Sequence, residues 1–194
     1  ILKAVMPQPV IPHSIASPSV VAHVMMQKYG YAVPLYRQES EWKRIGLAFP
    51  RANLANWIII ATKEWLVPVY DRLHELLLEE PCLHADETPV QVHNEKGRKN
   101  TSKSYMWIYT STTLNPNQNI RLFEYAPSRA GNCAETFLNG FQGYLLTDDY
   151  SGYHNIKTAG HCLCWAHARR KFVDAAPASV SYTHLRAHET TLHL

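Results

Sequence analysis

The chain has 194 residues, 46% hydrophobic and 18% charged, with a formal net charge of +3, which reads as one globular domain with a small helical appendage. No apolar stretch approaches the roughly 20 residues of a membrane helix, since the longest, around Trp57 to Tyr70, is interrupted by Lys63 and Glu64. The proline-rich N-terminus does not resemble a signal peptide, and four cysteines without regular spacing do not make a disulfide framework, so a soluble cytoplasmic protein with reduced thiols and no membrane partner is expected. The sequence opens on Ile1 instead of Met and so reads as beginning inside a longer protein.

Residues 1–80 carry helical periodicity. Ser17-Pro18 reads as a cap followed by proline at the first helical position. Val21, Val24, Met25 and Tyr29 then share one face until Gly30 stops the helix. A second helix is expected from about Pro34 through Trp42 to Gly46. A third carries Leu54, Trp57, Ile58, Ala61 and Trp65 at spacings of three and four, and Pro68 kinks or divides it before Leu73, Leu76 and Leu77. The short second helix, Gly46 and the third helix have helix-turn-helix character, which suits either DNA binding or plain three-helix packing.

After Pro81 the pattern changes to short runs bounded by turn residues. Strands are expected over Cys82 to Val92, Ser104 to Thr110 and, after a turn at Asn115-Pro116-Asn117, Ile120 to Tyr125. Asn132 to Phe141 reads as a helix with Ala134, Phe137, Leu138 and Phe141 on one face and Gly143 as its stop. Strands Tyr144 to Thr147 and His161 to Trp165 follow, and Ala168 to Ala176 reads as a basic amphipathic helix. Three strands, helix, strand, short helix, strand, helix is the order of an RNase H-like α/β fold.

Such a fold lays its first and fourth strands side by side, so acids distant in sequence meet at one edge of the sheet. Asp86 in His84-Ala85-Asp86-Glu87-Thr88 and Asp148 in Leu146-Thr147-Asp148-Asp149 occupy those positions. Two carboxylates held there can share hard cations such as Mg²⁺ or Mn²⁺. Alternation along a strand sends Glu87 and Asp149 away from that side. Two basic clusters, Lys96, Arg98, Lys99 and Lys103 in a loop and Arg169, Arg170 and Lys171 after His167, are placed to neutralise phosphates or to form solvated surface. A structural zinc site built from Cys82, His84, His161, Cys162, Cys164 and His167 is an alternative, although strand alternation lets at most three of these converge.

The motifs His84-Ala85-Asp86-Glu87-Thr88-Pro89, Thr147-Asp148 with Tyr150 and Gly152-Tyr153, and Cys164-Trp165-Ala166-His167-Ala168-Arg169-Arg170-Lys171-Phe172 resemble the catalytic core of the insertion-sequence-66 family of bacterial transposases. Segments around Ser17-Pro18, Pro34-Leu35-Tyr36 and Asn53-Leu54-Ala55 are similar to the stretch that precedes that core, and the resemblance covers about residues 7 to 179. It implies a DDE triad with Asp86 and Asp148 as its first two acids, two divalent ions, transposon-end and target DNA as partners, and a homo-oligomer on the DNA. It also implies that Arg169, Arg170, Lys171 and His167 lie near the DNA backbone. A glycine is expected where this chain has Asp149, and the third acid of the family is expected well beyond residue 180. Residues 180–194 instead resemble translated sequencing-adapter read-through, so Glu189 is not expected to serve, and the chain reads as at most weakly catalytic. A binding module without catalysis remains the reading from a different class.

Overall fold

The computed structural model describes residues 9–112 and 119–175. The expected turn at 115–117 and the segment 180–194 with Glu189 lie outside them. The chain divides into two compact units, the boundary falling between Arg72 and Leu73.

In the first unit α1 spans Pro18–Met25, α2 Leu35–Arg44 and α3 Arg51–Ala61, and α4 (Val67–Leu78) begins there. The Ser17 hydroxyl accepts the Val20 amide at 3.3 Å and caps α1, so the start is where the Ser-Pro pair placed it. Two wider π-helical turns occur, Met26–Gly30 after α1 and Thr62–Leu66 after α3. In the first, the Tyr31 amide bonds to the Met26 carbonyl, five residues back, at 3.1 Å. In the second, the Val67 amide reaches the Thr62 carbonyl, just before Pro68, which has no N–H to offer the next turn. The extra residue in each such turn shifts the helical phase of its neighbours, and this corrects two expectations: Tyr29 and Trp65 are 67% and 43% exposed instead of sharing the buried face.

The residues placed on the inward faces before those turns are buried. Val21, Val24, Leu54, Trp57, Ile58 and Ala61 close on Ile11 and Ala16. Each large side chain so buried contributes about 1.5–3 kcal/mol. An edge-to-face chain of rings, His23, Trp42, Phe49 and Trp57, with centroids 5.3–5.7 Å apart, extends this core. Gln38 is buried among them, and its Nε2 donates to the Val24 and Val33 carbonyls at 3.3 and 3.0 Å.

The second unit is built on a five-stranded mixed sheet of order β3-β2-β1-β4-β5, with β1 Cys82–Gln91, β2 Lys103–Ser111, β3 Arg121–Ala126, β4 Tyr144–Thr147 and β5 Gly160–Leu163. The first three strands form an antiparallel meander, while β4 runs parallel to β1 and β5 parallel to β4. This is the α/β arrangement expected of an RNase H-like core. Leu83, Ala85, Trp107, Tyr109, Leu122, Leu145 and Thr147 are buried on one face. Helix α5 (Gly131–Phe137) covers it, Phe137 stacking on Tyr109 at 3.8 Å, and Tyr153 meets Trp107 edge-on at 5.6 Å. His84, Asp86 and Thr88 alternate to the other, more open face.

Three boundaries differ from the sequence reading. Helix α5 ends at Phe137, because the left-handed glycine after it is Gly140 (φ +93°), not Gly143. Gly143 is needed for closeness instead: a Cβ there would lie 2.5 Å from the Pro81 carbonyl oxygen, the same carbonyl that accepts the Tyr144 amide at 2.9 Å. Strand β5 stops at Leu163, and α6 (Trp165–Ala175) opens three residues earlier than expected. Cys164 is the hinge between them, its amide donating to the Thr147 carbonyl at 2.9 Å and its carbonyl starting α6.

Candidate active site

The parallel ladder between β1 and β4 pairs Cys82 with Tyr144, Leu83 with Leu145 and His84 with Leu146. Two residues past the last of these pairs stand Asp86, in the middle of β1, and Asp148, the first residue after β4. Continued by two residues, that register sets the two acids level with each other on the side of the sheet away from Ala85 and Thr147. Asp86 is exposed, and its Oδ1 accepts the Glu87 amide at 2.9 Å. Asp148 is half-buried, and its Oδ1 accepts the Tyr150 amide at 3.0 Å.

Glu87 points the opposite way, as alternation requires, and its side chain is only 1% exposed. It is held by three donors. Arg129 donates through Nε at 2.6 Å and brings Nη2 to 2.5 Å of Oε1, while the Tyr153 hydroxyl donates to Oε2 at 2.6 Å. Arg129 Nη2 also lies 3.9 Å from Asp148 Oδ2. Its guanidinium rests on the Tyr150 ring, 3.9 Å from the centroid, and the Tyr150 hydroxyl donates to the Arg129 carbonyl at 2.6 Å. Partial burial works against the Arg129 charge, but the bond to Glu87 and the negative groups around it outweigh this and raise its pKa above the ordinary value. Burial, reinforced by the bond to Glu87 and by its charge, pushes the Tyr153 hydroxyl far above its ordinary pKa, and the charge of Asp86 adds to the effect.

Asp149 stands where the family resemblance implies glycine, and it adopts a left-handed conformation with φ +69°. Glycine takes that conformation without strain, and Asp is among the few side chains that tolerate it. Its carboxylate turns outward to His154 Nε2 at 3.1 Å.

Beyond Asp148 the loop meets the start of α6. A cleft of about 240 Å³ is lined by Asp148, Asp149, Leu163, Cys164, His167, Ala168 and Lys171. The His167 Nδ1 is buried there without a hydrogen-bond partner. Arg169, Arg170 and Lys171 are all exposed on α6. The other basic cluster is more divided. Lys96, Lys99 and Lys103 are exposed, but Arg98 is turned inward, with Nη1 3.2 Å from Glu95 Oε2 and 3.0 Å from the Ser104 hydroxyl and Nη2 donating to the Lys103 carbonyl at 3.0 Å. Tyr125 donates to Glu95 and closes this network. Arg98 therefore folds the loop, while the three lysines face solvent.

Among the described residues no three His, Cys, Asp or Glu side chains come together as a group that could hold a metal ion. The cysteine and histidine set weighed for zinc is thus not assembled, because Cys164 leaves the strand that would have aligned it with Cys162. The aspartate pair offers hard oxygen donors, and Mg²⁺ is commonly bound by one or two carboxylates with waters and a substrate phosphate completing its shell, so the donor chemistry fits. Two members of this site escape the sequence reading. Nothing marks Arg129, a lone cation in a turn before α5, whereas Gly152-Tyr153 belongs to a family-like motif that assigns the tyrosine no role.

The family model described as the transposase IS66 family matches residues 13–192. That span runs beyond residue 179, where the sequence reading ends the resemblance. Two curated relatives from Sinorhizobium fredii (strain NBRC 101917 / NGR234), the uncharacterized proteins y4jD and y4qI, are 30% identical over 188 residues and 29% identical over 194. The alignments cover 90% and 93% of this chain but 36% of each relative, so the chain spans about a third of the length of the curated relatives it matches. No solved structure matches.

Proposed function

We propose, from the premise that this chain belongs to the transposase IS66 family, that its sheet unit carries part of a DNA-processing site in which Asp86 and Asp148 hold two Mg²⁺ or Mn²⁺ ions for phosphoryl transfer at transposon ends and target DNA. The observation that supports this most is the parallel pairing of β1 with β4, whose register, continued by two residues, sets Asp86 level with Asp148. Divalent ions bound there would supply charge neutralisation at the attacking and leaving oxygens of an in-line displacement. The chain's own part is to fix one carboxylate within β1 and another just after β4 and to set cations beside them. Lys171 and His167, which line the cleft with Asp148, are positioned to take a phosphate oxygen, and Arg169 and Arg170 with Lys96, Lys99 and Lys103 to neutralise neighbouring phosphates. The third acid of the triad lies outside the described residues on this reading, and the working form is a homo-oligomer on DNA in the cytoplasm. No described helix is long and apolar enough to cross a membrane.

Titrating Mn²⁺ into the chain and following water-proton relaxation tests the site. Saturable binding lost in both Asp86→Ala and Asp148→Ala is the expected result. A folded chain that binds no Mn²⁺, or binds it equally well in both variants, would sink the proposal.

A second reading, DNA binding without catalysis, is favoured by the exposure of Arg169, Arg170 and Lys171 on α6. It predicts affinity that falls steeply with salt, ignores Mg²⁺ and is unchanged or raised in the two aspartate variants.

A further inference from the structure

Asp148 needs one carboxylate oxygen free if it is to serve a metal, yet a permanently charged guanidinium stands beside it. Arg129 Nη2 lies 3.9 Å from Oδ2, too far for a hydrogen bond but close enough to attract the carboxylate strongly. An unrestrained arginine at that distance would close the gap and form a forked pair, occupying the lone pairs a metal would use. The opposing restraint is visible on the other side of the guanidinium. Nε and Nη2 both engage Glu87 Oε1, and the Tyr150 ring lies against the guanidinium face. Glu87 is itself immobilised, its side chain buried and its second oxygen taking the Tyr153 hydroxyl, which is fully buried. The other oxygen of Asp148 is fixed independently by the Tyr150 amide.

Resting on the proposal that Asp148 is a metal ligand, we infer that Glu87 is a positioning residue: by gripping Arg129 from the covered face of the sheet, it keeps the guanidinium near Asp148 but off its Oδ2, so that this oxygen stays available to a divalent cation. Glu87 belongs to the same Asp-Glu pair as Asp86 but is not a ligand, since it lies buried on the opposite face. Its contribution to the site is exerted through Arg129.

The test compares Mn²⁺ affinity in the full chain and in Glu87→Gln, Arg129→Gln and the double variant, with folding checked by circular dichroism. Glu87→Gln releases Arg129 onto Asp148 and should weaken Mn²⁺ binding about tenfold. Arg129→Gln removes a positive charge beside the ligand and should tighten binding severalfold. In the double variant there is no arginine to release, so affinity should return to within about twofold of Arg129→Gln. A purely structural role for Glu87 instead makes the double variant at least as weak as Glu87→Gln, and that result overturns the inference, as does unchanged affinity in Glu87→Gln. If Glu87→Gln does not fold, Glu87→Asp, whose shorter side chain loosens the grip on Arg129, takes its place in the same series: weaker binding that Arg129→Gln restores supports the inference, and unchanged affinity overturns it. Asp86→Ala and Asp148→Ala separate the two levels. If they leave wild-type binding intact, the metal-site proposal itself fails; if they abolish it while the Glu87 series shows no coupling, only the role of Glu87 does.

Discussion

β1 carries two consecutive acids in its middle, Asp86-Glu87, and two more follow β4, Asp148-Asp149; the fold treats the second acid of each pair differently. Glu87 is still inside a strand, so alternation buries it, and the surrounding core supplies Arg129 and Tyr153 as partners. Asp149 is two residues past the end of β4, at the turn where parity no longer holds. Its backbone turns left-handed, and its carboxylate goes to solvent and His154. A neighbouring charge in sequence therefore has no fixed meaning. Inside the ladder it becomes part of the supporting core, and two residues beyond it becomes part of a turn.

The largest effect should come from removing the buried member. Glu87→Ala leaves Tyr153 without its acceptor and Arg129 without its anchor, and should lower unfolding free energy by about 3 kcal/mol in urea denaturation. A loss below about 1 kcal/mol would mean that the β1 pair is no more embedded than the β4 pair. The next largest concerns the register that sets the two pairs level. Gly143→Ala, just before β4, drives a Cβ against the carbonyl of Pro81, just before β1, and should cost about 2 kcal/mol through a displaced strand. Amide exchange should quicken across the β1–β4 ladder, and unchanged protection there would contradict the close-approach argument.

Tyr153→Phe sharpens the comparison more gently, costing about 1 kcal/mol at neutral pH for one hydrogen bond. It also has a pH signature. The folded-state pKa of Tyr153 is raised above its ordinary value of 10.0, so the folded protein retains a proton that the unfolded chain releases. The stability from this group is therefore complete below pH 10 and declines as pH rises beyond it, by up to about 1.4 kcal/mol per pH unit. The decline should be shallower in Tyr153→Phe, and parallel curves for the two proteins would refute the assignment. The smallest effect is at the β4 pair: Asp149→Gly relieves the left-handed strain and loses only an exposed pairing with His154, for a net gain of about 0.5 kcal/mol. A thermal midpoint that falls would show that the His154 contact matters more than the backbone.

Much of the fold is legible in the chain. The five strands, the Ser17 cap, the inward faces of α1 and α3 and the covered-face residues of α5 arise from local spacing and turn chemistry, because each depends on neighbours within a few residues. Tyr29 and Trp65 escape that logic because a π turn shifts the helical phase without any apolar residue marking it. Gly143 reads as a stop, since a sequence shows that a residue lacks a side chain but not which backbone approaches it.

The candidate site divides along the same line. Sequence by itself determined the family, the places of Asp86 on the first strand and of Asp148 after the fourth, and the opposite parity of Glu87, because motif order and period-two alternation are properties of the chain. Only the tertiary structure decided that Arg129 grips Glu87 beside Asp148, that Tyr153 caps the buried carboxylate and that Arg98 is used to fold its own loop. These pairings join residues tens of positions apart or reverse the expected direction of a side chain. They are chosen by which donors the packed core leaves beside each buried acceptor, and no local pattern encodes that.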